Sequence, residues 1–125
     1  MITGIFQATP EQVKDVIDLK AMPWAEASRP LCVGMWQGEC LCIFGTIPTS
    51  LLSDSAYLWL WTAPRLATAP LKLRIVFAYN AKGVIAKLLG EYGCLICNCF
   101  SDESAYWLRR LGATQTRPDL FEFRR

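Results

Sequence analysis

Six cysteines and no histidine bound the chemistry open to this 125-residue chain. Without an imidazole, no Ser-His-Asp or Cys-His arrangement can be built, so acid–base work falls to Asp, Glu, Tyr, Lys or water. The stretch "CLIC", Cys94 to Cys97, has the spacing of a zinc knuckle or a redox pair. It lies inside an apolar run rather than on a knuckle or at a helix start, and neither a histidine nor a second such pair accompanies it. Cys40 with Cys42, and Cys97 with Cys99, are two apart and share a strand face. The expectation is six reduced cysteines acting as small hydrophobes, with no metal.

The second place where chemistry could sit is "TAPRLATAP", Thr62 to Pro70, between the aromatic run "AYLWLW" and a long apolar stretch. A strand-to-helix loop is a common phosphate cradle, because amides at the helix start point at the anion. This loop has two prolines, three alanines and no glycine. Pro70 has no N–H to offer, and side chains at Ala67 and Ala69 restrict positive-φ conformations.

These residues must be positioned by one domain, residues 1–125, long enough to bury a core. Hydrophobic residues are 53% and charged ones 19%, a globular balance. The longest apolar span, Leu71 to Leu89, is interrupted by Lys72, Arg74, Lys82 and Lys87, which argues against a membrane crossing. The opening "MITGIFQATPEQ" does not read as a secretory signal, so the protein is expected to stay where it is made. A net charge of +2 is too small to imply nucleic acid. The basic residues gathered near the end (Arg109, Arg110, Arg117, Arg124, Arg125) read as a solvated tail.

Along the chain, "ITGIFQA" reads as a strand. Thr9-Pro10-Glu11-Gln12 is a helix start with a capping box, and Val13, Val16, Ile17 and Lys20 mark one face of a helix to about Ala21. "MPWAEASRP" reads as a loop or broken second helix. "LCVGMW", the turn "QGE" and "CLCIFGTI" predict a hairpin. "SAYLWLWT" predicts a strand with Tyr57, Trp59 and Trp61 on one face and Leu58 and Leu60 on the other. A helix follows from about Pro70 to Gly90, interrupted in propensity by Gly83. "GCLICNCF" predicts a strand apolar on both faces, as in the middle of a sheet. Ser101, Asp102 and Glu103 start another helix, which Gly112 stops after Leu111. One or two short strands close the chain. The order β-α-(α)-β-β-β-α-β-α-β(-β) predicts an α/β sandwich around one mixed sheet (α+β mixed).

That order, with "SDESAYWLRRLGA" before a closing "FEF", resembles the GNAT acyltransferase fold; Leu111, Gly112 and Ala113 match its hydrophobe-Gly-hydrophobe helix stop. More narrowly, the aromatic strand, the basic-apolar helix ending near "EYG" and the capped helix ending in Leu-Gly-Ala resemble the GNAT-like proteins of short-tailed bacteriophages, the group that includes internal virion protein A. The resemblance implies an acetyl-CoA pyrophosphate loop of pattern Q/R-x-x-G-x-G/A. Pro64 and Arg65 match its start, whereas Ala67, Thr68 and Ala69 stand where glycines are expected. It also implies a general-acid tyrosine four residues before the terminal glycine, a position held here by Leu108; Tyr106 and Trp107 lie on other helix faces.

With both features missing, the expectation is a catalytically degenerate GNAT-fold phage protein with no cofactor. It would act as a virion structural or assembly component, made in the bacterial host cytoplasm, with other virion proteins as partners and a homo-oligomer as an option. Trp24, in the proline-bounded segment Ala21 to Pro30, is the candidate interface anchor. The alternative is an acetyl-CoA-dependent N-acyltransferase with a divergent loop, in which Arg65 and Lys72 supply the phosphate charge and Glu39 or Asp54 acts as base. A small regulator binding a host protein is the third reading.

Overall fold

The structure is a computed structural model, described over residues 4–22, 24–28, 31–49, 54–99 and 102–125. Seven strands form one mixed sheet: β1 (Gly4–Gln7), β2 (Leu31–Trp36), β3 (Glu39–Pro48), β4 (Ser55–Thr62), β5 (Cys94–Asn98), β6 (Thr114–Arg117) and β7 (Leu120–Arg124). Their spatial order is β1-β2-β3-β4-β5-β7-β6. Every neighbouring pair is antiparallel except β4 and β5, which run parallel. The predicted architecture is the one observed. The turn between β2 and β3 is Gln37–Gly38 alone, both with positive φ, and Glu39 already belongs to the strand.

Two helices cover one face of the sheet. Helix α4 (Leu71–Glu91) runs unbroken through Gly83 and seats Leu73, Phe77, Ile85 and Leu88 against the strands. Helix α5 (Asp102–Arg110) adds Ala105, Trp107 and Leu108 to the same core, with Leu58, Leu95, Phe121 and Phe123 rising from the sheet. Phe77 and Trp107 meet edge to face at 4.9 Å. The end of α5 is as expected: Gly112 has φ +101, its N–H donates to the Arg109 carbonyl at 3.1 Å, and the Ala113 N–H donates to that of Leu108 at 3.0 Å. This 6→1 and 5→2 pair closes the helix through a residue that glycine occupies without strain. Ser101, the expected cap at its other end, lies outside the described residues.

The opposite face is thinner. Its cover is α1 (Pro10–Val13) and α2 (Trp24–Ala27), and its core is Val13, Ile17, Ala25, Leu31 and Ile43 with Trp59 and Trp61 packed on them. The Thr9 N–H donates to Gln12 Oε1 at 2.9 Å, so the expected helix start is present. The helix expected to reach Ala21 is corrected: it ends at Val13 and gives way to turns, and Val16 is 40% exposed. Beyond Val13 the chain is held by local turn bonds instead, the Val16 N–H donating to the Val13 carbonyl at 3.0 Å and the Lys20 N–H to Asp18 Oδ1 at 2.9 Å. The segment around Trp24, read as a loop or broken second helix, holds a one-turn helix.

Candidate functional site

Strands β4 and β5 are paired only at their beginnings, through Ser55↔Cys94, Ala56↔Leu95 and Tyr57↔Ile96. Beyond that point β4 continues to Thr62 alongside β3, and β5 continues to Asn98 alongside β7, so the two strands part. A parallel pair that diverges leaves a notch in the sheet. The edge of β4 facing it carries backbone N–H and C=O groups with no strand partner. The notch holds a cavity of about 610 Å³. One wall comes from β4 (Leu58 and Leu60) and α5 (Ser104 and Leu108), the other from Met22, Trp24, Tyr57 and Trp59. Ile96, Cys97 and Asn98 line the β5 side. No acidic or basic side chain is among the described residues that line it.

The wall bearing Trp24 is held by a specific seat. Trp59 Nε1–H donates to Ser28 Oγ at 2.6 Å, and the Ser28 hydroxyl donates to the Trp24 carbonyl at 2.9 Å. Ser28 is 2% exposed because it drops into a gap over Gly45. A Cβ at Gly45 would stand 2.5 Å from Ser28 Oγ and 2.9 Å from Trp59 Nε1, so only glycine allows α2 to approach the sheet here. Sequence reasoning missed this seat; the available signal was an isolated glycine inside the apolar strand "CIFGTI".

At the open end of the notch, β4 leads through the one-turn helix α3 (Pro64–Ala67) into α4. Pro70 is the N-cap of α4, and no side chain caps it. The first bond is Arg74 N–H to the Pro70 carbonyl at 3.1 Å, so the amides of Leu71, Lys72 and Leu73 have no partner within the helix. No acidic residue stands in this turn, contrary to the usual preference at a positive helix end. Lys72 is exposed there, and Arg74 keeps its Nε–H buried with no acceptor among the described residues. Arg74 is a cation that sequence reasoning treated only as an interruption of an apolar span.

Arg65 is placed differently from Lys72: it is ion-paired with Glu39 at the start of β3, both roughly half exposed. Such a surface pair contributes little and opens at small cost. Neither expected base reaches the cavity. Glu39 is engaged with the loop, and Asp54 sits at the closed end, where its carbonyl accepts the Gly93 N–H at 2.6 Å. The side chain of Ala67 lies outside the described residues.

Leu108 does face the cavity, 3% exposed, and supplies carbon where the resemblance expects a phenol. Tyr106 points outward, 44% exposed, with the Arg110 guanidinium 5.8 Å from its ring centre. Cys97 borders the cavity as a thiol, since burial pushes it up to about 12. Cys94 and Cys97 are three apart on β5 and therefore lie on opposite faces, which rules out a shared chelate. Among the described residues no group of three or more His, Cys, Asp or Glu is placed to hold a metal.

No protein-family model matches the chain, and no curated protein sequence does. Solved structures do. The GNAT domain of S. lividans PAT superposes with a TM-score of 0.70 at 10% identity, over 97% of this chain and 89% of that one. The putative N-acetyl transferase YhhK from E. coli, bound to coenzyme A, matches at 0.62 and 16% over the whole of both chains. A GNAT family acetyltransferase from Brucella melitensis in complex with acetyl-CoA matches at 0.59 and 12%, over 98% and 88%. The chain has the GNAT acetyltransferase fold. Nothing in these similarities links it to internal virion protein A.

Proposed function

We propose that the chain binds an acyl-CoA thioester in the notch between β4 and β5 and transfers its acyl group to an amine. The observation that carries this reading is the divergence of the two strands beyond Tyr57 and Ile96, which opens a cavity beside β4, the strand that leads on to an uncapped helix start. Coenzyme-bound neighbours of the same fold support it. The unpaired edge of β4 suits an extended arm bearing amides, by strand addition. The amides of Leu71 to Leu73, with Lys72 and Arg74, suit the pyrophosphate, and Arg65 can join on leaving Glu39. A glycine-free loop narrows this cradle without removing it, because the amides that matter begin after Pro70. The thioester supplies an activated carbonyl; the protein binds, orients and excludes water from it. With Leu108 in the wall, no phenol at that position donates a proton to the leaving sulfur.

Titration calorimetry with acetyl-CoA tests the reading. A saturable one-site isotherm is expected, weakened about tenfold or more by Lys72→Glu, equivalent to about 1.4 kcal/mol or more. No heat at millimolar ligand overturns it.

The second reading keeps the scaffold and drops the chemistry: a virion structural or assembly component of a short-tailed phage, made in the host cytoplasm, with Trp24 as the anchor for other virion proteins. Leu108 and the proline-capped loop favour it. Recovery of the chain in purified particles, with silent calorimetry, would support it over the first.

A further inference from the structure

We infer that the amine acceptor is an aromatic amine, one whose nitrogen is already an uncharged free base at neutral pH. This rests on the acyl-transfer reading and names the substrate class of that same site. Two observations lead to it. The first is what the cavity lacks: no carboxylate, lysine or arginine lines it among the described residues, and the chain has no histidine. An alkylamine arrives as an ammonium ion, which must be desolvated and stripped of a proton before it can attack; ring faces offset only part of that desolvation, and no charged side chain among the described lining residues pairs with the cation or takes the proton.

The second observation is what the cavity offers instead. Trp24, Tyr57 and Trp59 surround the side of the notch away from α5, with Met22 beside them. Trp24 is 39% exposed and Tyr57 is 47% exposed, so their rings are open to a ligand rather than packed away. The seat of Ser28 over Gly45 fixes the α2 backbone at Trp24. Three aromatic rings around an uncharged space suit a flat apolar group, held by offset stacking or edge contact. An aniline-type amine brings that ring and a neutral nitrogen together.

The reaction then needs no side-chain base to begin. The nitrogen lone pair forms a bond to the thioester carbonyl carbon, and the carbon–sulfur bond breaks. The sulfur leaves with the bonding electrons and takes the proton that the nitrogen releases, giving an amide and a free thiol. Trp24 is a specificity-determining residue, and Ser28 positions it.

The test has a binding arm that needs no thioester. Tryptophan fluorescence of the protein alone is titrated at pH 7 with aniline and with benzylamine, which carries a similar ring but a cationic nitrogen. Aniline is expected to bind saturably and at least about tenfold more tightly than benzylamine. Trp24→Ala should weaken aniline about tenfold, whereas Trp24→Phe should stay within about threefold. In the acylation arm, followed by mass spectrometry of the amide, the rate with aniline should be flat between pH 6 and 8. Any benzylamine turnover should rise about tenfold per pH unit, following its free-base fraction. Equal or better binding of benzylamine, or unchanged aniline binding in Trp24→Ala, overturns the inference. Acetyl-CoA binding without acylation of aniline also overturns it and leaves the cofactor reading standing. Aniline binding without acetyl-CoA binding removes the cofactor reading instead.

Discussion

The two faces of the sheet are built to different standards. Under α4 and α5 lies a continuous core, anchored by Trp107, Leu95 and Phe121, each at most 1% exposed. Across the sheet, two one-turn helices cover five buried residues, and Trp24 and Val16 remain open to solvent. The thick face carries the stability of the domain. The thin face, relieved of that duty, holds the wall of the notch that can discriminate between ligands.

The largest expected effect tests the thick face. Trp107→Ala should destabilise the domain by about 3–5 kcal/mol in denaturant unfolding, through the cavity it leaves beside Phe77. Trp107→Phe should cost far less, because it also removes a buried indole N–H that has no acceptor among the described residues. Similar losses for both variants would mean that the indole N–H matters more than the volume.

A middle-sized effect tests the thin face. Gly45→Val drives a side chain into Ser28 and Trp59, and should cost about 1–3 kcal/mol. It should displace α2 and reduce aniline binding more than acetyl-CoA binding, as read by the two titrations. A cost equal to that of Trp107→Ala would break the comparison, since the two faces would then fold as one unit.

The smallest effect is a slope with pH. Burial pushes the thiols of Cys42 and Cys97, both in the thick-face core, up to about 12 from an ordinary value near 9. The folded chain therefore keeps protons that the unfolded chain releases above pH 9. Stability is intact below about pH 9 and falls toward pH 12, by about 1.4 kcal/mol per pH unit for each thiol. Cys42→Ala should flatten that slope in alkaline melts, and an unchanged slope would assign it to other groups.

Legibility in the sequence followed how locally each feature is decided. The hairpin, α4, β5 and the Gly112 stop are set by turn residues and apolar periods within a few positions, and all were readable. The helix after Pro10 was over-extended because the periodicity of Val13, Val16 and Ile17 says nothing about the turn bonds that replace helix beyond Val13. The loop chemistry was half readable: missing glycines could be seen, but not that the α4 amides past Pro70 stay uncapped. The notch could not be read at all, because it depends on where two strands some forty positions apart stop pairing. Nor could the place of Trp24, since the gap at Gly45 that receives Ser28 exists only once β3 and α2 have met.

The three residue pairs that join β4 to β5 also divide the chain in time. Strands β1 to β4 form a meander of antiparallel neighbours, and β5 to β7 form a second group around α5; the widest pairings inside them, Gly4↔Met35 and Cys94↔Arg124, are nearer in sequence than Ser55↔Cys94 at the seam. The parallel seam between them spans the whole of α4, and such distant pairings bear the largest loop-closure cost and form slowly. The halves are therefore expected to gain structure first and the seam to close last. In native-state hydrogen exchange the amides at Ser55–Tyr57 and Cys94–Ile96 would report that closure, and a ligand lying across both strands would slow their exchange by tying the late-formed seam to the early-formed halves.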